Sequence, residues 1–197
     1  MLSALVVLVA FLVSLKACPP WIYFGADIRG RVVDAETGQP LEGVVVVAMW
    51  CMTTFGGIVY GPHIKLYSAD TVTDKVGNFD IPAWGPRLRP PWAWVDGNDP
   101  FLRFFKSGYV PQGVSNLRRA GFMVSHSDWN GKVIKLARSY AVPKDRLAEL
   151  DGTLPMCGYD LGTFGKLADE ILKERNLDAP GARPFFENVE RLKRRDP

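Results

Sequence analysis

The sequence predicts a mainly β fold, an antiparallel sandwich with a helical C-terminal appendage. Short apolar runs recur between Gly-, Pro- and Asp-containing turns across residues 27–139, as expected for a sandwich of short strands. No long helical pattern separates those runs, which argues against a parallel sheet with crossover helices. Beyond residue 140 the apolar residues recur at helical spacing instead, which indicates helices.

Length and charge narrow the class of protein. A chain of 197 residues holds one domain with an appendage or two small domains, and its 47% apolar content is enough for a packed core. The 24 basic and 21 acidic residues are mixed along the chain and leave a net charge of +3. Since nucleic-acid-binding domains usually carry a basic stripe, we expect no nucleic-acid partner.

The first element is an apolar N-terminal segment. Residues 1–15 contain no charged side chain. The run is shorter than the roughly 20 residues of a membrane-spanning helix, and it resembles the apolar core of a secretory signal. It ends in Leu-Lys-Ala-Cys, which resembles a bacterial lipobox with Cys18 as the lipidated residue. We therefore predict a signal peptide at residues 1–17 and attachment to a membrane through a lipid on Cys18.

The residues around Cys18 also bear on location. The residue after Cys18 is Pro19, whereas an Asp at that position would resemble an inner-membrane retention signal. We therefore expect the protein in the bacterial cell envelope, at the outer membrane and facing the periplasm. Lys16 stands where lipoboxes carry a small or hydroxyl residue. An ordinary signal peptide with a secreted or periplasmic soluble product, and an uncleaved anchor, are the alternatives.

Three cysteines are present, Cys18, Cys51 and Cys157. If Cys18 carries lipid, the other two can pair in an oxidising compartment. In the chain-entropy model, closing so long a loop stabilises the fold by about 4 to 5 kcal/mol. Two buried free thiols are the alternative.

Residues 18–26, "CPPWIYFGA", are predicted to be a stiff tether, and the sandwich begins at residue 27. Ile28 to Asp34 alternates in polarity and predicts a strand. Gly38 and Pro40 mark the turn that follows. Leu41 to Met52 predicts the second strand, in which Val44 to Val47 are β-branched on both faces.

The rest of the sandwich is predicted from shorter runs. A hairpin closed by Gly77 joins a strand at 69–74 to a strand at 78–81, which Pro82 ends. Residues 83–100 are expected to be a long loop and residues 111–131 to be irregular. Strands are expected at 101–106 and 131–138.

Residues 140–197 are predicted to be a helical extension. A weak helical turn is expected at 145–150, and helices are expected at 164–172 and 185–192, where apolar residues recur at i, i+3 and i+4. Helices this short are unstable alone, and the Val44–Val47 run is apolar on both faces. We therefore expect at least one of these helices to cover the outer face of that strand.

Three stretches carry a family resemblance: "GRVVDAETGQPLEGVVVVA", "TVTDKVGNFDIP" and "FKSGYVP". Residues 27–139 resemble the carboxypeptidase regulatory-like domain, also described as transthyretin-like. The resemblance implies a seven-stranded antiparallel Greek-key sandwich of prealbumin type. It implies no activity, because a fold alone does not determine function. We predict a non-enzymatic envelope binding or scaffolding module whose partner is an envelope protein or a glycan.

The motifs of catalysis are missing from the sequence. His63 and His126 lack the His-x-x-Glu pattern of metallocarboxypeptidases, and two histidines are too few for a zinc site. No Gly-x-Ser-x-Gly elbow and no phosphate-binding lysine loop occurs. We predict no catalytic residue, metal or cofactor; a hydrolase that uses His63 and His126 is the alternative.

Aromatic residues are the strongest candidates for binding. Trp84, Trp92 and Trp94 lie in the Pro-rich loop, and Trp129 lies in another. Flat aromatic faces can stack on sugar rings, and two arginines in the same loop could add polar contacts. The candidate ligand-binding set is therefore Trp84, Trp92, Trp94, Trp129, Arg87 and Arg89. The alternative is that the tryptophans close one end of the sandwich or mark a protein interface.

Overall fold

A computed structural model describes residues 21–54, 63–90, 92–95, 97–117, 123–154 and 164–194. Within these ranges the chain forms eleven strands and three helices. The strands are β1 (Ile22–Gly25), β2 (Ile28–Asp34), β3 (Val45–Thr54), β4 (His63–Val72), β5 (Asn78–Ile81), β6 (Trp84–Leu88), β7 (Ala93–Val95), β8 (Phe101–Phe105), β9 (Gln112–Val114), β10 (Val124–Ser125) and β11 (Lys132–Leu136). The helices are α1 (Pro143–Asp151), α2 (Gly165–Leu172) and α3 (Ala182–Lys193).

The described strands form a β-sandwich-like arrangement of three sheets. The largest has the order β4-β3-β8-β9, with β7 also paired to β3, and all its pairs are antiparallel. Two three-stranded sheets have the orders β11-β2-β5 and β10-β1-β6. All three sheets contribute buried side chains to one core, so the two small sheets pack against the same face of the large one.

Strand β3 explains the valine-rich run. Alternate residues of this strand face opposite ways. Val46, Ala48 and Trp50 lie in the core between the sheets. Val45 and Val47 lie in a second core on the other face, so both faces of the strand are apolar because both are buried.

The second core is built by the C-terminal tail. It contains the β3 residues Val45, Val47, Met49 and Cys51, Phe105 of β8, and the tail residues Leu150, Phe164, Leu167, Ala168, Ile171, Ala182, Phe186 and Val189. The apolar stripes of α2 and α3 supply most of the tail residues. The contact expected between the valine-rich strand and the tail is therefore present. Among the described helices, none is long and apolar enough to cross a bilayer.

A network of ion pairs around the buried Arg146 also ties the tail to the sandwich. Arg146 of α1 donates to both carboxylate oxygens of Glu174, at 2.7 and 2.5 Å, and to Glu149 at 2.6 Å. It also donates to the Tyr109 carbonyl at 2.8 Å, while the Gly108 N–H donates to Glu174 at 3.0 Å. Burial, the largest single influence, raises the pKa of Glu174, but the hydrogen bonds from Arg146 and the Gly108 N–H, together with the charge of Arg146, hold that pKa below its ordinary value. We call these five residues the polar latch.

The expectation of purely antiparallel pairing is wrong at two places. β11 runs parallel to β2 over five residue pairs, and β10 runs parallel to β1. These partners are about a hundred residues apart in the chain. A hairpin turn therefore does not join them, and nothing in the connection forces them to run in opposite directions.

The predicted tether and the predicted Pro-rich loop also contain strands. β1 lies within residues 18–26. Its residue Tyr23 is buried in the core, and the Phe24 N–H donates to the Met123 carbonyl at 3.0 Å. β6 and β7 lie within residues 83–100, and β9 and β10 lie within the region expected to be irregular. The described strands number eleven, against the seven that the family resemblance implies.

Candidate binding surface

Trp84 is a core residue rather than a loop ligand. It begins β6 and pairs with Gly25 of β1. Its ring stacks on Tyr67 at a centroid distance of 4.7 Å and meets the edge of Trp50 at 5.2 Å. The expectation that Trp84 presents a face to a ligand is therefore wrong, since the side chain is buried between two other aromatic rings.

The other three tryptophans differ in exposure. Trp92 follows β6 and is 63% exposed, and Trp94 in β7 is 37% exposed. Trp129 packs against the main core and its indole N–H donates to the Ser115 carbonyl at 2.9 Å. Trp92 and Trp94 can therefore offer surface to a ligand, whereas Trp129 mainly supports the fold.

The two arginines of the candidate set also differ in exposure. Arg87 is exposed, and its guanidinium lies 5.5 Å from the centroid of the Tyr67 ring. Arg89 is buried, donates to the Ala93 carbonyl, and lies 5.7 Å from the centroid of the Trp21 ring. Arg89 thus holds the loop after β6 and fixes the position of Trp21, which is itself exposed.

An apolar surface that the sequence reading missed lies on the outside of the β10-β1-β6 sheet. Ile22 pairs with Leu88, and Phe24 pairs with Val124. Because Tyr23 between them points into the core, these four side chains point outward. Three are exposed, Leu88 at 76%, and Phe24 is half-buried. We call Ile22, Phe24, Leu88 and Val124 the N-terminal face.

The sequence held a signal for this face, in "WIYF" at residues 21–24. The two prolines that precede it favour a stiff tether instead. Four consecutive apolar residues give no alternation, so their periodicity cannot show which of them face solvent.

The two histidines of the alternative hydrolase prediction lie on different sheets: His63 begins a strand of the large sheet, and His126 follows a strand of a small one. His63 pairs with Thr53 at the start of β4, and its side chain lies outside what the structure describes. His126 is exposed after β10, and its carbonyl accepts from Asn116 Nδ2 at 2.7 Å. Within the described residues no three His, Cys, Asp or Glu side chains lie close enough to hold a metal ion.

A shallow cleft of about 630 Å³ lies on the outside of the β11-β2-β5 sheet. Its polar rim includes Arg29, Arg31 and Asp80. Arg29 donates to Asp80 at 3.2 Å, and Arg31 donates to the Val76 carbonyl at 3.0 Å. Lys132 and Asp74 also line the cleft, so it carries charges of both signs.

Cys51 is buried in the second core and is disulfide-bonded. Its backbone N–H donates to Asp99 Oδ2 at 2.5 Å. Cys18 and Cys157 both lie outside the described residues, so the pairing of Cys51 with Cys157 stays a prediction, as does lipidation of Cys18.

Asp34 is the most strongly shifted acid of the described residues. The Thr37 and Glu36 N–H groups donate to it at 3.0 and 2.9 Å, Tyr109 Oη at 2.9 Å and Arg138 Nε at 3.2 Å. The Thr37 hydrogen bond leads the causes that lower its pKa to about 2. Because every partner is a donor within the fold, the carboxylate is a structural anchor for the turn after β2.

No protein-family model and no curated protein matches the chain. A streptococcal ancillary pilin matches at 17% identity and a TM-score of 0.28, over 59% of this chain and 30% of the pilin. A 3-chlorocatechol 1,2-dioxygenase from Rhodococcus opacus 1CP matches at 13% identity and a TM-score of 0.33, over 59% of this chain and 61% of the enzyme. A 9R-lipoxygenase from Cyanothece PCC8801 matches at 12% identity and a TM-score of 0.25, over 86% of this chain and 25% of the enzyme.

The chain spans less than two thirds of each of these proteins. At such identities and TM-scores the likenesses say nothing about activity or partners.

Proposed function

We propose that the protein is a non-enzymatic binding or scaffolding module of the bacterial envelope, anchored by a lipid on Cys18. The observation that carries the proposal is the position of the N-terminal face. This exposed apolar surface begins at Ile22, four residues after Cys18. An apolar leader, a lipobox-like end and an adjacent apolar surface are all consistent with a protein held at a membrane.

The proposed fold family is the carboxypeptidase regulatory-like, transthyretin-like sandwich. Its motifs fall on consecutive parts of the sandwich, which supports the proposal. "GRVVD" lies in β2, "NFDI" forms β5, and "FKSGYVP" begins at the last residue of β8. The outer membrane, with the sandwich facing the periplasm, is the proposed location.

Labelling with a palmitate analogue tests the anchor. The full chain expressed in a Gram-negative bacterium should incorporate the label and fractionate with the outer membrane. Cys18→Ser should abolish both. A wild-type chain that takes up no label and remains in the soluble periplasmic fraction would overturn the proposal.

The disulfide offers an independent check. Cys51 is disulfide-bonded, and the chain has three cysteines. A lipidated Cys18 cannot be its partner, so non-reducing peptide mapping should find Cys51 linked to Cys157. A link between Cys51 and Cys18 would contradict lipidation.

Carbohydrate or peptidoglycan binding is a second candidate, favoured by the exposure of Trp92 and Trp94. Sedimentation with purified peptidoglycan should then retain the wild-type protein and lose Trp92→Ala and Trp94→Ala. Leu88→Ala, which changes an exposed residue that is not aromatic, is the matched control. Equal binding by all four proteins, or none by the wild type, would exclude the tryptophans as a sugar site.

A further inference from the structure

We propose that the N-terminal face lies against the lipid bilayer, so that the β10-β1-β6 sheet contacts the membrane. The lipid on Cys18 is then not the only contact between the protein and the bilayer. This inference rests on the anchor proposed above and adds an orientation to it. Four apolar side chains point out of one small sheet, and three of them are exposed.

The length of the tether limits what can cover this face. Two residues lie between Cys18 and Trp21, and the three steps along the chain from Cys18 to Trp21 span at most about 11 Å. A lipid on Cys18 therefore keeps Trp21, the residue before β1, within about 11 Å of the bilayer surface. Because the Arg89 N–H donates to the Trp21 carbonyl at 2.8 Å, the end of β6 is held near the anchor as well.

The chemistry at the margin suits a lipid headgroup layer. Trp21 is exposed next to the face, and Trp residues concentrate at membrane–water interfaces. An apolar centre with an exposed indole beside it matches the order of acyl chain and headgroup.

The size of the face argues against a protein partner. Its strands contain four, five and two residues. At about 4.8 Å between strands and about 3.3 Å per residue, the sheet covers roughly 200 Å². A stable protein–protein interface buries about 800 Å² on each partner, so a second copy of this chain would need surface beyond the face.

Tryptophan reporters in the lipidated mature chain test the orientation. Leu88→Trp places an indole on the N-terminal face. Val133→Trp places one on β11, in the other three-stranded sheet, at a position that is 55% exposed. Both variants keep the same six native tryptophans as background. The proteins are reconstituted in phosphatidylethanolamine–phosphatidylglycerol vesicles, with or without brominated acyl chains that quench nearby indoles.

We expect the emission added by Leu88→Trp to lose most of its intensity in brominated vesicles and the emission added by Val133→Trp to keep it. Quenching of the Leu88→Trp reporter by aqueous acrylamide alone would show a face open to water. Resistance of that reporter to both quenchers would show a face covered by protein, such as a second copy of the chain. Either result overturns the proposal.

Flotation of the same samples separates this inference from the anchor. A chain that does not float with vesicles overturns both. A chain that floats while Leu88→Trp escapes the brominated lipid overturns the orientation alone. A second pair of variants tests the same contact by hydrogen exchange. In vesicles, Leu88→Asp should speed the exchange of the β6 amides, whereas Val133→Asp should leave their exchange unchanged. Equal exchange of β6 in the two variants would also contradict contact with lipid.

Discussion

At the scale of single residues, Trp84 and Gly25 form a close pair that holds the N-terminal sheet on the core. A β-carbon added to Gly25 would lie 2.0 Å from Trp84 Nε1. The indole cannot move aside, because Tyr67 and Trp50 pack against it. The glycine therefore permits the strand to approach the ring.

Gly25→Ala should destabilise the protein by about 1 to 3 kcal/mol, the usual effect of overpacking a filled core. Urea unfolding measures the change. Gly165→Ala is the matched control, since nothing lies within 4 Å of its added β-carbon, and a substitution without such a clash usually stays within about 0.5 kcal/mol. Equal effects of the two changes would contradict the packing of Trp84 on β1.

Asp34 gives a prediction about pH. Its carboxylate has a pKa of about 2 in the folded protein, whereas an unfolded chain binds the proton near pH 4. The unfolded state therefore takes up a proton first as the pH falls, and stability declines between about pH 4 and the folded value.

Thermal unfolding of the wild type and Asp34→Asn should show that decline. The wild type should have a higher melting temperature than Asp34→Asn. That difference should be constant above about pH 5 and should shrink as the pH falls below about 4. Asp27→Asn is the control, because that exposed acid is held by a surface ion pair with Arg29. An advantage over Asp34→Asn that stays constant down to pH 2 would contradict the structural role.

At the scale of elements, the sequence predicted strands and helices well where periodicity was strong. β2 and β5 have the predicted bounds, and α2 begins one residue after its predicted start. β6 was not predicted because Gly85 and Pro86 lie within it. A proline is tolerated in an edge strand, where no neighbour needs its missing N–H, and β6 is at the edge of its sheet.

The binding candidates were harder to predict for a related reason. A tryptophan in a Pro-rich segment can be a ligand-binding residue or a core residue, and only the pairing of Trp84 with Gly25 decides between them. The N-terminal face depends on pairs between β1, β6 and β10, which are distant in the chain. Local patterns carry no information about such pairs.

The polar latch connects elements that the chain keeps far apart, and its guanidinium is buried. Arg146→Met should destabilise the protein by about 3 to 5 kcal/mol, because two carboxylates lose their shared cation. Arg183→Met removes an exposed ion pair with Glu187 and should cost less than about 0.5 kcal/mol. Similar unfolding midpoints for the two variants in urea would show that the latch does not hold the tail.

At the scale of the whole molecule, the large sheet lies between two apolar layers. The small sheets cover one face and the tail covers the other. This arrangement explains why the valine run does not alternate and why two short helices are stable. It also leaves the N-terminal face as the apolar surface next to the predicted anchor.

Removing the tail tests this architecture most directly. A chain that ends after Thr163 keeps all three cysteines but loses α2 and α3. Sedimentation velocity with a dye that binds exposed apolar surface should then show self-association and strong dye binding, since Val45, Val47 and Met49 lose their cover. A truncated chain that stays monomeric, binds no dye and unfolds at the same urea concentration as the full chain would contradict the account.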